Sequence, residues 1–345
     1  MPFEKIIWFL AAFLLAALAS AGVIRVARRF GIVDRPGARK IHARPMPLLG
    51  GLAIYATLAA CLITVLIVSP TLTSGLVTLR QYAGFLLGGL VLVVGGALDD
   101  AFNLPPRLSI LPPLLSALVA VAFGTQVSKL TNPLGGVFLV PAWLSDLLVF
   151  VWLMVVMYTT KLLDGLDGLA AGVAAIGAAM VLLLSLTAAY FQPDVALLSS
   201  IVLGALLGFL AWNFHPAKLF LGEGGSTLVG YALGTLAVIS GGKLAIALLV
   251  VGIPLLDVAW TVLRRVRAGG WKSAFRGDRR HLHHRLLDIG WSQRRIVLSY
   301  YAAAAAFGLS ALFLQSREKL FALGLLSVAM LFIVAWVLRY ERQRA

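Results

Sequence analysis

Long apolar runs alternate with short polar breaks over almost the whole chain. Runs of about 20 residues recur near 4–24, 49–69, 79–98, 108–124, 143–160, 167–190, 195–212, 225–241, 243–262, 297–315 and 320–338. That length crosses the bilayer core as a helix, so the pattern predicts about eleven transmembrane helices. The run near 108–124 is the weakest, because Pro112 and Pro113 stand inside it. The expected class is an all-α polytopic membrane protein forming one domain over 1–345. Its larger polar loops fall at about 25–48, 99–107, 161–167, 213–224 and 264–295, all on one side.

Composition agrees: 61% of the 345 residues are hydrophobic and only 12% charged, where soluble domains carry about a quarter. The single cysteine, Cys61, lies in the second run and has no partner for a disulfide or thiolate site, so it reads as packing. Ala19-Ser20-Ala21 imitates a signal-peptide cleavage site. Glu4 and Lys5 cancel before that run, however, while Arg25, Arg28 and Arg29 follow it. This asymmetry predicts a retained helix with its N-terminus outside.

The net charge of +15 suggests nucleic acid until it is sorted by topology. Of the 29 Lys and Arg, only Lys5, Arg80, Lys129, Lys243, Arg317 and Lys319 fall on the outer side. The rest follow the odd-numbered runs, the positive-inside pattern, which puts the C-terminus in the cytoplasm. The excess is a topology signal suited to lipid headgroups or phosphorylated substrates, and no nucleic-acid partner is expected.

Polar chemistry gathers on that same side. All five histidines fall there: His42, His215, His281, His283 and His284. Asp99 and Asp100 end the third run, although carboxylates at a helix C-terminus oppose the macrodipole, so something else must hold them. They suit two roles, a base and a metal or phosphate organiser. In YTTKLLDGLDGLA (158–170), Asp164 and Asp167 each precede a glycine that permits close backbone approach. Paired carboxylates beside phosphate suit Mg²⁺. LGEGGST (221–227) opens another run, with Ser226 or Thr227 as a candidate helix cap. RGDRRHLHHRLLDIG (276–290) brings three histidines among arginines, a set that suits phosphate better than zinc. RPGARKIHARPMPLLGG (35–51) reads equally as a diphosphate cradle or a headgroup anchor. A lipid-linked-sugar transporter would need charges near the midplane; Asp257 alone lies well inside a run.

Five motifs in this order resemble the polyprenyl-phosphate N-acetylhexosamine-1-phosphate transferases, which include the phospho-MurNAc-pentapeptide transferases. They are RKIHxxPxPxxGG at 39–51, DD with LPPR at 99–107, DGLDGLAAG at 164–172, WNFxPAKLFLGExGS at 212–226 and RRHLHHRL at 279–286. The resemblance implies transfer of a sugar-1-phosphate from a UDP-sugar to polyprenyl (undecaprenyl) phosphate in a bacterial plasma membrane, initiating cell-envelope glycan synthesis. It implies catalytic roles for Asp99, Asp100, Asp164 and Asp167, with Mg²⁺ near Asp164, Asp167 and Glu223. Substrate binding would fall to Lys40, His42, Arg107, Lys161, Asn213, Lys218, Arg279, Arg280, His281, His283, His284 and Arg285. A homodimer is compatible with it. The chain departs from the family pattern within the motifs. Tyr158 and Lys161 stand at usual asparagines, Glu223 at a usual aspartate, and Ser109 and Pro113 at a usual lysine and glutamine. A protonated lysine cannot ligate a metal. Three readings follow: Lys161 held by Glu223 or Asp164 replaces the metal charge, Mg²⁺ shifts to the remaining aspartates, or the fold is a non-catalytic scaffold.

Overall fold

A computed structural model describes residues 2–37, 42–132, 136–241, 244–269, 281–314 and 316–344. In chain order the helices are α1 (Pro2–Arg29), α2 (Gly50–Val68), α3 (Leu79–Phe102), α4 (Pro106–Ser109), α5 (Leu111–Ala122), α6 (Ala142–Leu163), α7 (Leu169–Leu186), α8 (Pro193–Asn213), α9 (Gly222–Ile239), α10 (Leu244–Val250), α11 (Gly252–Gly269), α12 (Leu282–Asp288), α13 (Gln293–Phe313) and α14 (Ser316–Arg344). Two short antiparallel ladders tie loops: β1 (Val33–Asp34) with β2 (Met46–Pro47), and β3 (Lys129–Thr131) with β4 (Val137–Leu139).

Each predicted apolar run is helical, although the runs near 108–124 and 243–262 are each divided between two helices. By length and composition, seven described helices could cross a membrane: α1, α2, α3, α6, α7, α8 and α13. The count reaches eight if α10 and α11, bent by 75° at their junction, form one span. Pro112 and Pro113 sit in the first turn of α5, which begins only at Leu111. Proline is tolerated there because the first N–H groups have no intrahelical acceptor. The predicted run is therefore split between α4 and the 12-residue α5.

The centre of the bundle is α9, packed by α2, α3, α6 and α7. From 222 to 238 every residue except Glu223 is buried. Glycine makes this close packing feasible. A Cβ on Gly51 would stand 2.4 Å from the Cα of Gly225, and one on Gly96 would stand 2.1 Å from the Cα of Gly224. Small residues let backbones meet where lipid offers no hydrophobic drive between helices. Across this contact Tyr231 donates its hydroxyl to the Gly84 carbonyl at 3.0 Å.

Large apolar side chains face outward along the bundle, among them Leu14, Ile63, Leu90, Leu118, Leu147 and Leu298. In water such a surface would drive association; against lipid it is the expected coat. The ends of α3, α6 and α8 and the starts of α2, α7 and α9 meet around one cavity.

Candidate active site

The cavity is about 770 Å³ and is lined by His42, Asp99, Asp100, Lys161, Asp164, Asp167, Asn213, Glu223 and His284. Residues the sequence reading did not select also line it, including Asp34, Arg44, Asn103, His215, Ser226 and Gln293. Lys40, Arg279 and Arg280 lie outside the described residues.

Helix ends explain how the acids are held. α3 stops where Asn103 takes a left-handed conformation with φ 50°. Asp99 then accepts the Leu104 N–H at 3.0 Å. Asp100 accepts the Glu223 N–H at 3.0 Å, in the first turn of α9. A carboxylate unfavourable at the C-terminus of its own helix is thus placed on the positive end of another. This is the partner the sequence reading required.

Asp164 is the C-terminal cap of α6, its N–H donating to the Thr160 carbonyl at 3.1 Å. Burial is the main cause holding its carboxyl well above the usual range, followed by the charges of Glu223, Asp100 and Asp167. It keeps partial solvent contact through the cavity, which tempers that burial. Asp167 has a different environment. It accepts a hydrogen bond from His215 Nδ1 at 2.8 Å and from the Ala217 N–H at 3.1 Å, pinning the segment after α8. Asn213 has a similar tie: its Oδ1 accepts the Gly168 N–H at 3.0 Å and its amide donates to the Leu219 carbonyl at 2.9 Å. Both residues shape the site by holding its backbone.

The Lys161 ammonium stands 2.5 Å from Glu223 Oε2. The ammonium is the donor that meets Oε2, which has no further hydrogen-bond donor among the described residues. The contact is a close ion pair joining the last turn of α6 to the first turn of α9.

The histidines form two layers. His284 lines the cavity, and its ring meets that of His283 at 4.3 Å between centroids. His283 stacks in turn on His281 at 5.9 Å. Both inner rings are buried. His281 Nδ1 meets Asp257 Oδ2 at 2.9 Å, and the Leu282 N–H donates to Asp257 Oδ1 at 2.9 Å. Because a carboxylate accepts, the proton belongs on Nδ1 of His281. Burial, then His284 and His281, push the pKa of His283 well below the ordinary histidine value and keep the ring neutral. Gly165 leaves room for this stack: a Cβ there would stand 2.5 Å from His283 Nε2.

His42 is held by Asp34 at 2.9 Å and by the Arg44 carbonyl at 2.8 Å. The ladder Asp34↔Met46 brings that segment over the cavity. Not every selected residue reaches it. Arg107 is exposed on α4, Lys218 stacks over Trp212 at 5.5 Å, and Arg285 on α12 does not line it. His281 and His283 sit behind His284. Two residues outside the selected set take part through partners: His215 lines the cavity, and Asp257, which resembles a family position near the site, holds His281 behind it. The signal for both was chemical: an acid inside an apolar run, and a fifth histidine on the side that holds the other four.

Fold and site define a class: a polytopic α-helical membrane enzyme with an acid-, lysine- and histidine-lined cavity at one end of its bundle. The description of Glycosyl transferase family 4 matches residues 82–241. A probable undecaprenyl-phosphate N-acetylglucosaminyl 1-phosphate transferase of Bacillus subtilis is 30% identical, covering 95% of this chain and 90% of the relative. A decaprenyl-phosphate N-acetylglucosaminephosphotransferase of Mycolicibacterium smegmatis is 35% identical over 87% of this chain and 80% of its own. A phospho-N-acetylmuramoyl-pentapeptide-transferase of Anoxybacillus flavithermus is 32% identical over 90% and 98%. The chain belongs to Glycosyl transferase family 4.

The family is metal-dependent in general terms, so the donors were tested for fit. Among the described residues no three His, Cys, Asp or Glu side chains are gathered closely enough to hold a metal ion. Of the three ligands expected, Glu223 faces the Lys161 ammonium and Asp167 is engaged by His215 and Ala217. Asp164, Asp167 and Glu223 therefore do not fit a resident Mg²⁺ as a set.

Proposed function

We propose that this protein transfers an N-acetylhexosamine-1-phosphate from a UDP-sugar to polyprenyl (undecaprenyl) phosphate, giving a polyprenyl-diphosphate-sugar and UMP. The observation carrying this reading is the cavity in which Asp99, Asp100, Asp164, the Lys161–Glu223 pair and His284 converge at the end of an apolar bundle. The relatives named for N-acetylglucosaminyl 1-phosphate transfer support it, and so do the five sequence motifs. The basic side of the chain would face the cytoplasm, where it meets a water-soluble sugar nucleotide, while the acceptor arrives through the lipid.

An oxygen of the acceptor phosphate attacks the phosphorus that bears the sugar. The bond from that phosphorus to the bridging oxygen breaks, and UMP leaves with the electron pair. Such a reaction asks mainly for in-line positioning and for neutralisation of developing charge. A phosphomonoester with a second pKa near ~6 is largely dianionic at neutral pH. Asp99 and Asp100 therefore have little proton to remove, and their role is to orient the acceptor. Lys161, His284 and, from the segment beyond α11, Arg279 and Arg280 oppose the charge of the diphosphate. His42 closes the cavity from the Asp34–Arg44 side.

The test is UMP release by the purified chain supplied with undecaprenyl phosphate and a panel of UDP-N-acetylhexosamines. Release that depends on both substrates supports the reading. Absence of release with every sugar, while a relative turns over in parallel, sinks it and makes the chain a scaffold.

A further inference from the structure

We propose that Lys161, braced by Glu223, is the built-in cation of this site, so that its carboxylates recruit no divalent ion of their own. The proposal deepens the transferase reading by naming what meets the substrate phosphates.

The pair is fixed from both sides. Lys161 belongs to the last turn of α6, where a cation is favoured by the helix dipole. Glu223 belongs to the first turn of α9, and its own N–H is held by Asp100 at 3.0 Å. A divalent ion on Glu223 Oε2 would have to displace the ammonium 2.5 Å away. Two cations at such a distance repel strongly, and the expulsion would leave Lys161 facing the ion.

The pair is also open to a ligand. The side chains of Lys161 and Glu223 are 23% and 43% exposed, so this is no sealed structural bridge. An ammonium has three N–H donors, and the single contact with Glu223 occupies one of them. The other two remain for phosphate oxygens, which accept.

Position gives the third argument. Lys161 and Glu223 line the main cavity and also a narrow crevice bounded by Leu92, Pro112, Pro113 and Asp99. The crevice runs between α3 and α5, whose outer faces carry exposed leucines. In this reading the nucleotide diphosphate and the acceptor phosphate both meet Lys161 in the cavity, and the crevice marks the side of the pair that faces α3 and α5. Lys161 stands where the two groups meet.

The experiment is a Mn²⁺ titration of the full chain in detergent, read by the loss of the free-ion EPR signal without nucleotide. UMP release is measured alongside in Mg²⁺ and in EDTA. The wild type is expected to leave Mn²⁺ free and to keep its UMP release in EDTA. Lys161→Asn removes the charge and adds an oxygen donor, so it is expected to tighten Mn²⁺ binding by at least about tenfold. Glu223→Gln in that background should reverse the gain. Wild-type protein that binds Mn²⁺ as tightly as Lys161→Asn overturns the proposal, as does UMP release that stops in EDTA and returns with Mg²⁺. Both wild-type measurements hold even if the variant does not fold. If Mn²⁺ behaves as expected and UMP is never released, the cation assignment stands and the transferase reading falls.

Discussion

Asp257 and His281 lie 24 residues apart in the chain and meet at 2.9 Å beneath the candidate site. The same carboxylate takes the Leu282 N–H, so one side chain fixes both the ring and the start of α12. An amide cannot accept both protons in this arrangement. Asp257→Asn should therefore lower UMP release by about 10- to 100-fold and cost about 1–3 kcal/mol of stability, since one buried donor loses its acceptor. Asp257→Ala should cost more on both scales. Melting curves and turnover on the same preparations check this, and an Asn variant with wild-type turnover would remove Asp257 from the site.

Asp167 offers a second test of positioning against direct chemistry. Its carboxylate is occupied by His215 and Ala217. If it acts by holding that segment, His215→Ala and Asp167→Asn should each raise KM for the sugar nucleotide several-fold, and the double variant should be little worse than the poorer single one. Fully additive losses would mean that Asp167 acts apart from His215.

Gly165 separates the two aspartates of the DGLDG stretch. An alanine Cβ there would stand 2.5 Å from His283 Nε2 and 3.1 Å from His284 Nε2. The rings must shift, and they are coupled by stacking to His281. Gly165→Ala is expected to remove about 10²-fold or more of the activity, the penalty of roughly 1 Å misplacement, with the bundle still assembled. Retained activity would show that the histidine layer is not needed in this arrangement.

Two buried groups give opposite pH slopes. Asp164 is raised, so the fold keeps a proton that the unfolded chain has lost above about pH 3.9, and stability declines as pH rises through the folded value. His283 is lowered, so below about pH 6.5 the unfolded chain takes a proton that the fold refuses, and stability declines as pH falls. Partial solvent access should keep the Asp164 slope below ~1.4 kcal/mol per pH unit. Asp164→Asn should flatten the decline that accompanies rising pH and His283→Asn the decline that accompanies falling pH, followed as melting temperature against pH. Equal profiles in all three proteins would refute both assignments.

The helices were legible because a bilayer demands long apolar runs, and every predicted run is helical. The breaks inside them were less so. The weak run near 108–124 splits at Leu111 because proline suits a first turn, and the bend between α10 and α11 falls inside a run of unbroken hydropathy. At the site, residue type picked out side chains of which several line one cavity, and spacing could not assign their partners. Asp99 and Asp100 were visible as a puzzle at a helix end, and only the fold shows α9 as the answer to one of them. The Lys161 contact was foreseen with either Glu223 or Asp164, and the geometry selects Glu223. The partners of His215 and Asp257 were not legible, because each lies far away in sequence.

The enclosure of α9 sets a schedule for assembly. Its walls come from α2, α3, α6 and α7, all synthesised before it, and it offers lipid almost no face of its own. Until about residue 240 has been made, the faces of those helices that pack on α9 lack this partner. Asp100 has no α9 N-terminus to cap, and Lys161 has no Glu223 to meet. α9 is therefore the late segment that completes the Asp100 and Lys161 contacts, and the histidine layer at the start of α12 follows it in the chain.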